Sequence, residues 1–229
     1  IQLSFVKAND SGDCSPKEIA KTAEDVEAIR RTNLSASALK NYLDCPARFY
    51  YATVKRLRKR DEVSEDLDAG MLGNVFHGTM QKLYSEEMAG GKVVTCEYLS
   101  SLLGKTSAIK GIVRALSLEQ LHSLEVTGRD LVVEDVIVEY VVKTLKRDRE
   151  LLRSSGSDGF EILGLEKKFE REIDGFRFVG YVDRMDSLRP GEIRIIDYKT
   201  GRVEDKDVNI SDGNAEAVVD ALFGPVNEG

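Results

Sequence analysis

The sequence holds only three cysteines, Cys14, Cys45 and Cys96, an odd number set far apart. That argues against a disulfide framework and for a reducing, cytoplasmic location. No CxxC pair occurs, so a self-contained zinc site is not expected. No apolar run reaches the roughly 18 residues of a membrane span. The opening Ile1-Gln2-Leu3-Ser4 lacks the basic and apolar regions of a signal peptide, and with no initiator Met the chain reads as a fragment of a longer protein. There is no GxxxxGK[ST] phosphate loop, no internal repeat and no low-complexity tract. An excess of positive charge is also missing. The formal net charge of -7 does not advertise a polyanion binder.

What is present suffices for one good core. The chain has 229 residues and is 41% hydrophobic, enough for a domain with an appended helical lobe. Residues 1–33 are polar and mixed and read as an arm or linker, with a helix expected from Pro16 to Arg31. Residues 34–203 read as the main domain. Ser35 is placed to cap a helix whose apolar face is Leu39, Tyr42 and Leu43. Cys45-Pro46 interrupts it, and Phe49, Tyr50 and Tyr51 continue the apolar face. A dense basic cluster follows, Lys55, Arg56, Arg58, Lys59 and Arg60, and then an acidic stretch from Asp61 to Asp68. After the small residues Gly70–Gly73, Val75, Phe76, Met80, Leu83 and Tyr84 trace a second amphipathic helix. It carries His77, and Gly90-Gly91 is expected to end it. Residues 97–153 read as a helical lobe, with Val133, Val136, Ile137, Tyr140, Val141 and Leu145 at helical spacing. Residues 204–229 form an acidic tail.

From Glu161 the period changes. Asp174-Gly175 is a two-residue hairpin signal between β-rich runs, and Arg189-Pro190-Gly191 is a second turn. The expected product is an antiparallel meander of 161–173, 176–188 and 192–200. Counting back from the turns sets Glu166 opposite Asp183, and Asp183 opposite Asp197, unless a bulge intervenes. Facing Cβ atoms lie roughly 4.5–5.5 Å apart, and like charges at that distance destabilise a sheet. Three carboxylates in one row must splay into solvent, share protons or enclose a cation, and a hard divalent ion with oxygen ligands is the natural filler. Lys199 lies two residues after Asp197 and therefore points to the same face. Ile193 and Ile195 precede the pair on that face, so the pair is expected where apolar packing gives way to a cleft. Carboxylates, a metal and a lysine in one cleft suit phosphodiester hydrolysis. The metal polarises the phosphate and acidifies water, and the ammonium offsets charge in the transition state.

Gly180-Tyr181-Val182-Asp183-Arg184-Met185-Asp186 together with Asp197-Tyr198-Lys199-Thr200-Gly201 resembles the core of the PD-(D/E)xK nucleases, more narrowly the RecB/AddB branch, where "GxxDRxD" and "DYKTG" recur together. Gly73-Asn74-Val75-Phe76-His77 resembles that branch's upstream histidine helix, and Leu34-Ser35-Ala36-Ser37 through Cys45-Pro46 to Tyr51 its opening helix. The resemblance spans Leu34 to Gly201 with four motifs in order. It implies an α/β, restriction-endonuclease-like mixed sheet, with an antiparallel meander carrying the active site and helices flanking on both sides. It also implies a Mg²⁺-dependent phosphodiesterase, with Mn²⁺ as a substitute, whose metal ligands are His77, Asp183, Asp197 and the carbonyl of Tyr198. Lys199 is then the catalytic lysine and Glu166 a further active-site acid. The implied role is a deoxyribonuclease, chiefly an exonuclease, within a helicase–nuclease that resects double-strand breaks for recombinational repair. DNA and a helicase domain or subunit are the implied partners. Carboxylates gathered around a metal would by themselves lower the net charge.

Two features depart from the family. No QxxxY motif follows Gly201, and Cys45, which fits one ligand of the iron–sulfur cluster of AddB-type relatives, has no later triplet of cysteines to join it. Truncation before both features is the simplest account, and it implies a cluster only in the full-length parent and a fragment that need not be active alone. Other readings stay open. Glu166 reads equally as a surface strand residue among Lys167, Lys168 and Glu170, and Lys55–Arg60 as either a solvated face or a DNA-backbone contact. His122 reads as a surface residue. A non-catalytic DNA-end-binding module on the same scaffold, or a CRISPR-adaptation or RNA nuclease with the same core, are the alternative functions.

Overall fold

The computed structural model describes residues 22–57, 67–85, 89–121 and 125–201. These divide between two compact units, the first drawn from 1–61 and 169–180, the second from 62–168 and 181–229.

In the first unit, helix α1 (Ala23–Arg30) opens on a capping box. The Thr22 hydroxyl accepts from the Asp25 N–H, and the Asp25 carboxylate accepts from the Thr22 N–H. Strand β1 (Asn33–Ser35) leads into α2 (Ala36–Asp44), where the Ser35 hydroxyl caps the Ala38 N–H as its position foretells. Cys45-Pro46 breaks the path and starts the short α3 (Pro46–Phe49), which runs into a π-helical turn, Tyr50–Val54. Leu34, Phe49 and Val54 form the core, with Ala28 and Ile29 of α1 packed on it. The described residues of the expected arm thus pack within this unit through Ala28 and Ile29. The expected helix has its described part at Ala23–Arg30, and Pro16–Lys21 lies outside the described residues. Asp25 is buried at α1, and Lys55, bonded to it at 2.7 Å, holds its carboxyl down at about 2.

In the second unit, α4 (Ala69–Leu83) starts at the Asp68 cap and buries Val75, Phe76, Thr79, Met80 and Leu83, one stripe of a 3.6-residue period. Burying each large apolar side chain contributes about 1.5–3 kcal/mol. The helix stops at Leu83, short of the Gly90-Gly91 expected to end it. Tyr84 leaves the helical conformation, and its hydroxyl is committed to Asp148 at 2.6 Å. Strand β2 (Val93–Thr95), α5 (Cys96–Gly104), α6 (Thr106–Leu121) and the long α7 (Arg129–Ser155) follow, and α7 ends on left-handed Gly156. Helices α4, α6 and α7 pack on one another, and α5 packs on α7.

Strands β3 (Gly159–Ile173), β4 (Phe176–Ser187) and β5 (Arg194–Ile196) realise the meander, joined by Asp174-Gly175, both at positive φ, and by a turn ending at Gly191. The β4–β5 pairs are Arg184–Ile196, Met185–Ile195 and Asp186–Arg194, the register counted from the turn. The ladder ends at Ile196, however, short of the Thr200 expected. The short β1 and β2, absent from the sequence reading, complete the sheet. Its order is β1-β4-β3-β2, with β5 also beside β4. Because β1 runs parallel to β4, the sheet is mixed, and helices flank it.

A buried ion cluster lies inside the second unit. The Arg184 guanidinium of β4 makes two hydrogen bonds to Asp148 of α7, at 2.7 and 3.0 Å, and sits 2.9 Å from Asp186. It lies over the rings of Tyr84 and Phe160, with ring centres 4.7 and 5.1 Å away. Removing one partner of a buried pair strands the other charge. Arg184→Met should cost about 3–5 kcal/mol in urea denaturation. A loss below about 1 kcal/mol would show the pair to be dispensable.

Candidate active site

Four segments of the second unit meet here, three through side chains and one through its backbone. His77 sits on α4 beside the buried stripe, next to Phe76. Asp183 lies on β4, where alternation turns Arg184 inward and Asp183 to the opposite face. Glu166 lies on β3 with φ at +46°, a left-handed conformation in mid-strand that a non-glycine residue adopts at a cost. This conformation occurs at the acid the sequence singled out. Tyr198 follows β5 and contributes its backbone.

The distances are short. His77 Nδ1 lies 3.5 Å from Asp183 Oδ2 and 3.7 Å from Glu166 Oε1. His77 Nε2 lies 3.1 Å from the Tyr198 carbonyl oxygen, and the Tyr198 N–H donates to Asp183 Oδ2 at 2.5 Å. One peptide segment thus ties the histidine helix to the aspartate strand. When Nε2–H donates to the Tyr198 carbonyl, Nδ1 turns its lone pair toward two carboxylates. Burial pushes the Glu166 carboxyl above its usual range, and the charge of Asp183 pushes it further. Three electron-rich groups facing one point call for a cation. His77, Glu166 and Asp183 offer ligand atoms that all lie within 4.8 Å of one another. One imidazole nitrogen and two carboxylate oxygens fit a divalent ion such as Mg²⁺ or Mn²⁺.

The residues after β5 are arranged differently from the expected row. Asp197 does not join this group. Its carboxylate pairs with Lys199 at 2.7 Å, and both side chains are more than half exposed. The ladder that would have held it beside Asp183 has already ended, and the Tyr198 N–H takes that place. Asp197 and Lys199 do share a face, as alternation requires. Ile193 and Ile195, expected to lead into a cleft from packed surroundings, are 61% and 68% exposed. The reason lies in the alternate residues. Arg194 bonds the buried Asp186 at 2.6 Å, and the Tyr198 ring packs edge-on against Phe76, so even positions face inward and odd ones outward. The Tyr198 carbonyl, implied as a ligand, faces His77 Nε2.

In the first unit, Lys55 is bound to Asp25 and lies over the Tyr50 ring, while Arg56 takes a positive φ. Arg58, Lys59, Arg60, His122 and Cys14 lie outside the described residues. Cys45 is a half-buried free thiol at the start of α3. The sequence reading gave no role to Asp148 or Arg184. The signal for Asp148 was available: it interrupts the stripe of Ile137, Val141, Leu145 and Leu152, and an acid on the buried face of a helix needs a partner.

A mixed sheet flanked by helices, presenting converging acids with a lysine nearby, defines a class of phosphodiester-cleaving enzymes. The sequence model of the PD-(D/E)XK nuclease superfamily matches residues 33–216, and the chain belongs to that superfamily. No curated protein matches it.

Two expectations test the site. His77→Ala should weaken Mn²⁺ binding at least about tenfold in calorimetry, since a ligand is lost; equal affinity would remove His77 from the set. Glu166 must shed its proton to bind metal. Its folded pKa is raised, so Mn²⁺ affinity should start to fall with decreasing pH above the range of a free glutamate, and Glu166→Gln should flatten that part of the profile. By the same sign, in metal-free protein Glu166 favours folding at low pH, and that contribution is lost as pH rises through its folded pKa.

Proposed function

We propose that the chain is a Mg²⁺-dependent deoxyribonuclease domain, chiefly an exonuclease, of an AddB/RecB-like helicase–nuclease that resects double-strand breaks in recombinational repair. The observation that carries the nuclease part is the convergence of His77, Glu166 and Asp183 beside the Asp197–Lys199 pair. The narrower assignment is supported by the resemblance of the "GxxDRxD" and "DYKTG" motifs and of the opening helix, with DNA and a helicase subunit as partners and the cytoplasm as the compartment. Among the described residues, no helix is long and apolar enough to cross a membrane. A cluster-binding role for Cys45 would need three further thiols close together, and these 229 residues hold only Cys14 and Cys96 besides.

His77, Glu166 and Asp183 would hold the metal. Once bound, the ion supplies a Lewis acid for the scissile phosphate and acidifies the attacking water. The protein's own groups do the rest. The Tyr198 peptide fixes His77 and Asp183 in place. Asp197 orients the Lys199 ammonium, which stands exposed to meet the negative charge of a phosphate and to stabilise the charge that builds as the bond breaks. Lys199→Ala and Asp197→Ala should each lower cleavage of linear DNA at least about a hundredfold, the scale of losing one charge-stabilising group. Circular dichroism should stay unchanged, because both side chains are exposed. Full cleavage by both variants would overturn the site assignment. Cleavage of RNA with DNA left intact would overturn the substrate.

A further inference from the structure

We infer that a groove between α7 and the segment from β5 to Gly201 holds the sugar–phosphate backbone of the nucleic-acid strand next to the site; this rests on the nuclease reading. Two hollows, about 530 and 330 Å³, share the walls Lys143 and Thr144. One is bounded further by Arg147 and by Arg194, which is already bonded to Asp186, the other by Lys199 and Thr200. The groove therefore runs from the exposed lysine of the site along a wall of cations and hydroxyls, the donors that contact phosphate without reading sequence.

The charge of α7 favours this use. Its first half carries Asp130, Glu134, Asp135 and Glu139 against Arg129. From Lys143 onward it carries Lys143, Lys146, Arg147, Arg149 and Arg153 against Asp148 and Glu150. Lys143 and Arg147 lie one turn apart, about 6 Å along the axis, with side chains 66% and 79% exposed. Their nearest acids, Glu139 and Glu150, stand 3.6 Å away and are themselves exposed, so solvent screens both pairs. Asp148 is the one carboxylate on the described walls, and Arg184 and Tyr84 already engage it. In the Lys55 cluster, buried Asp25 holds the lysine, and Arg58, Lys59 and Arg60 lie outside the described residues.

The test uses the full 229-residue chain in EDTA, which stops cleavage, and reads the anisotropy of fluorescein-labelled single-stranded DNA, duplex DNA and single-stranded RNA across a salt series. The variant is Lys143→Ala/Arg147→Ala, with Lys82→Ala/Lys110→Ala as a charge-matched control elsewhere in the same unit. The groove variant should bind single strands at least about tenfold more weakly, and the slope of log affinity against log salt should fall by about 1.4, at about 0.7 per phosphate contact. The control should change neither by a comparable amount. The polymer whose affinity falls most on going from wild type to the groove variant is the one the groove takes. Unchanged affinity and slope in the groove variant would overturn the inference, as would an equal loss in the control. Cleavage by the wild type in Mg²⁺ reads the nuclease assignment separately. A chain that cleaves but ignores the groove substitutions refutes only the groove, and one that binds through the groove but never cleaves refutes only the enzyme.

Discussion

The Arg184 guanidinium is the constraint on which the site depends. Burying it would be prohibitive without partners, and the second unit supplies them: the Asp148 fork, Asp186, and the faces of Tyr84 and Phe160. Two consequences reach the site. With Arg184 drawn inward, the pleat of β4 sends Asp183 to the opposite face. Tyr84, which donates to the same Asp148, lies seven residues after His77, close to two turns along α4 and its capping residue, so the helix that carries the histidine is tied to the same acid. A well-packed apolar replacement of the whole cluster could be as stable. It would not fix helix and strand by directed bonds, and a metal site needs its ligands fixed.

The site itself is built against folding. Glu166 sits at a positive φ and faces Asp183 closely enough for its proton to be held more tightly. Strain and like-charge contact persist only where the surroundings over-determine them. Here the surroundings are a clamped strand, a clamped helix and the Tyr198 peptide, which donates to Asp183 and faces His77. Held by His77, Glu166 and Asp183, a divalent ion would turn this conflict into coordination, so metal binding should stabilise the fold.

The parts of the molecule legible in the sequence are those governed by local chemistry. Asp174-Gly175 dictated the hairpin, the turn at Arg189–Gly191 set the β4–β5 register, Ser35 announced its cap, and the stripe on α4 gave the position of His77. What escaped was set by tertiary contacts. The three-residue strands β1 and β2 are too short to show a period. Tyr84 caps α4 with its hydroxyl on Asp148, a partner far along the chain. The outward turn of Ile193 and Ile195 followed from Arg194 reaching Asp186 and from Tyr198 packing on Phe76. Asp197 stands apart from Glu166 and Asp183 for a related reason. Alternation told which face Asp197 shares, but not that the ladder would stop one residue before it.

The same electrostatics explain how a chain of net charge -7 can belong to a superfamily that acts on a polyanion. Glu166, Asp183 and Asp197 would repel a phosphate, and Lys199 offsets only one of them. Positive charge placed among the ligands would compete with the metal for the carboxylates. Positive charge placed along the adjoining groove would meet the strand next to the site and leave the carboxylates free. The division of α7 into an acidic half and a basic half, with the basic half walling the groove, achieves that separation. At physiological salt, charges act over about 8 Å, so the local basic wall, and not the total charge, would govern what a strand encounters there.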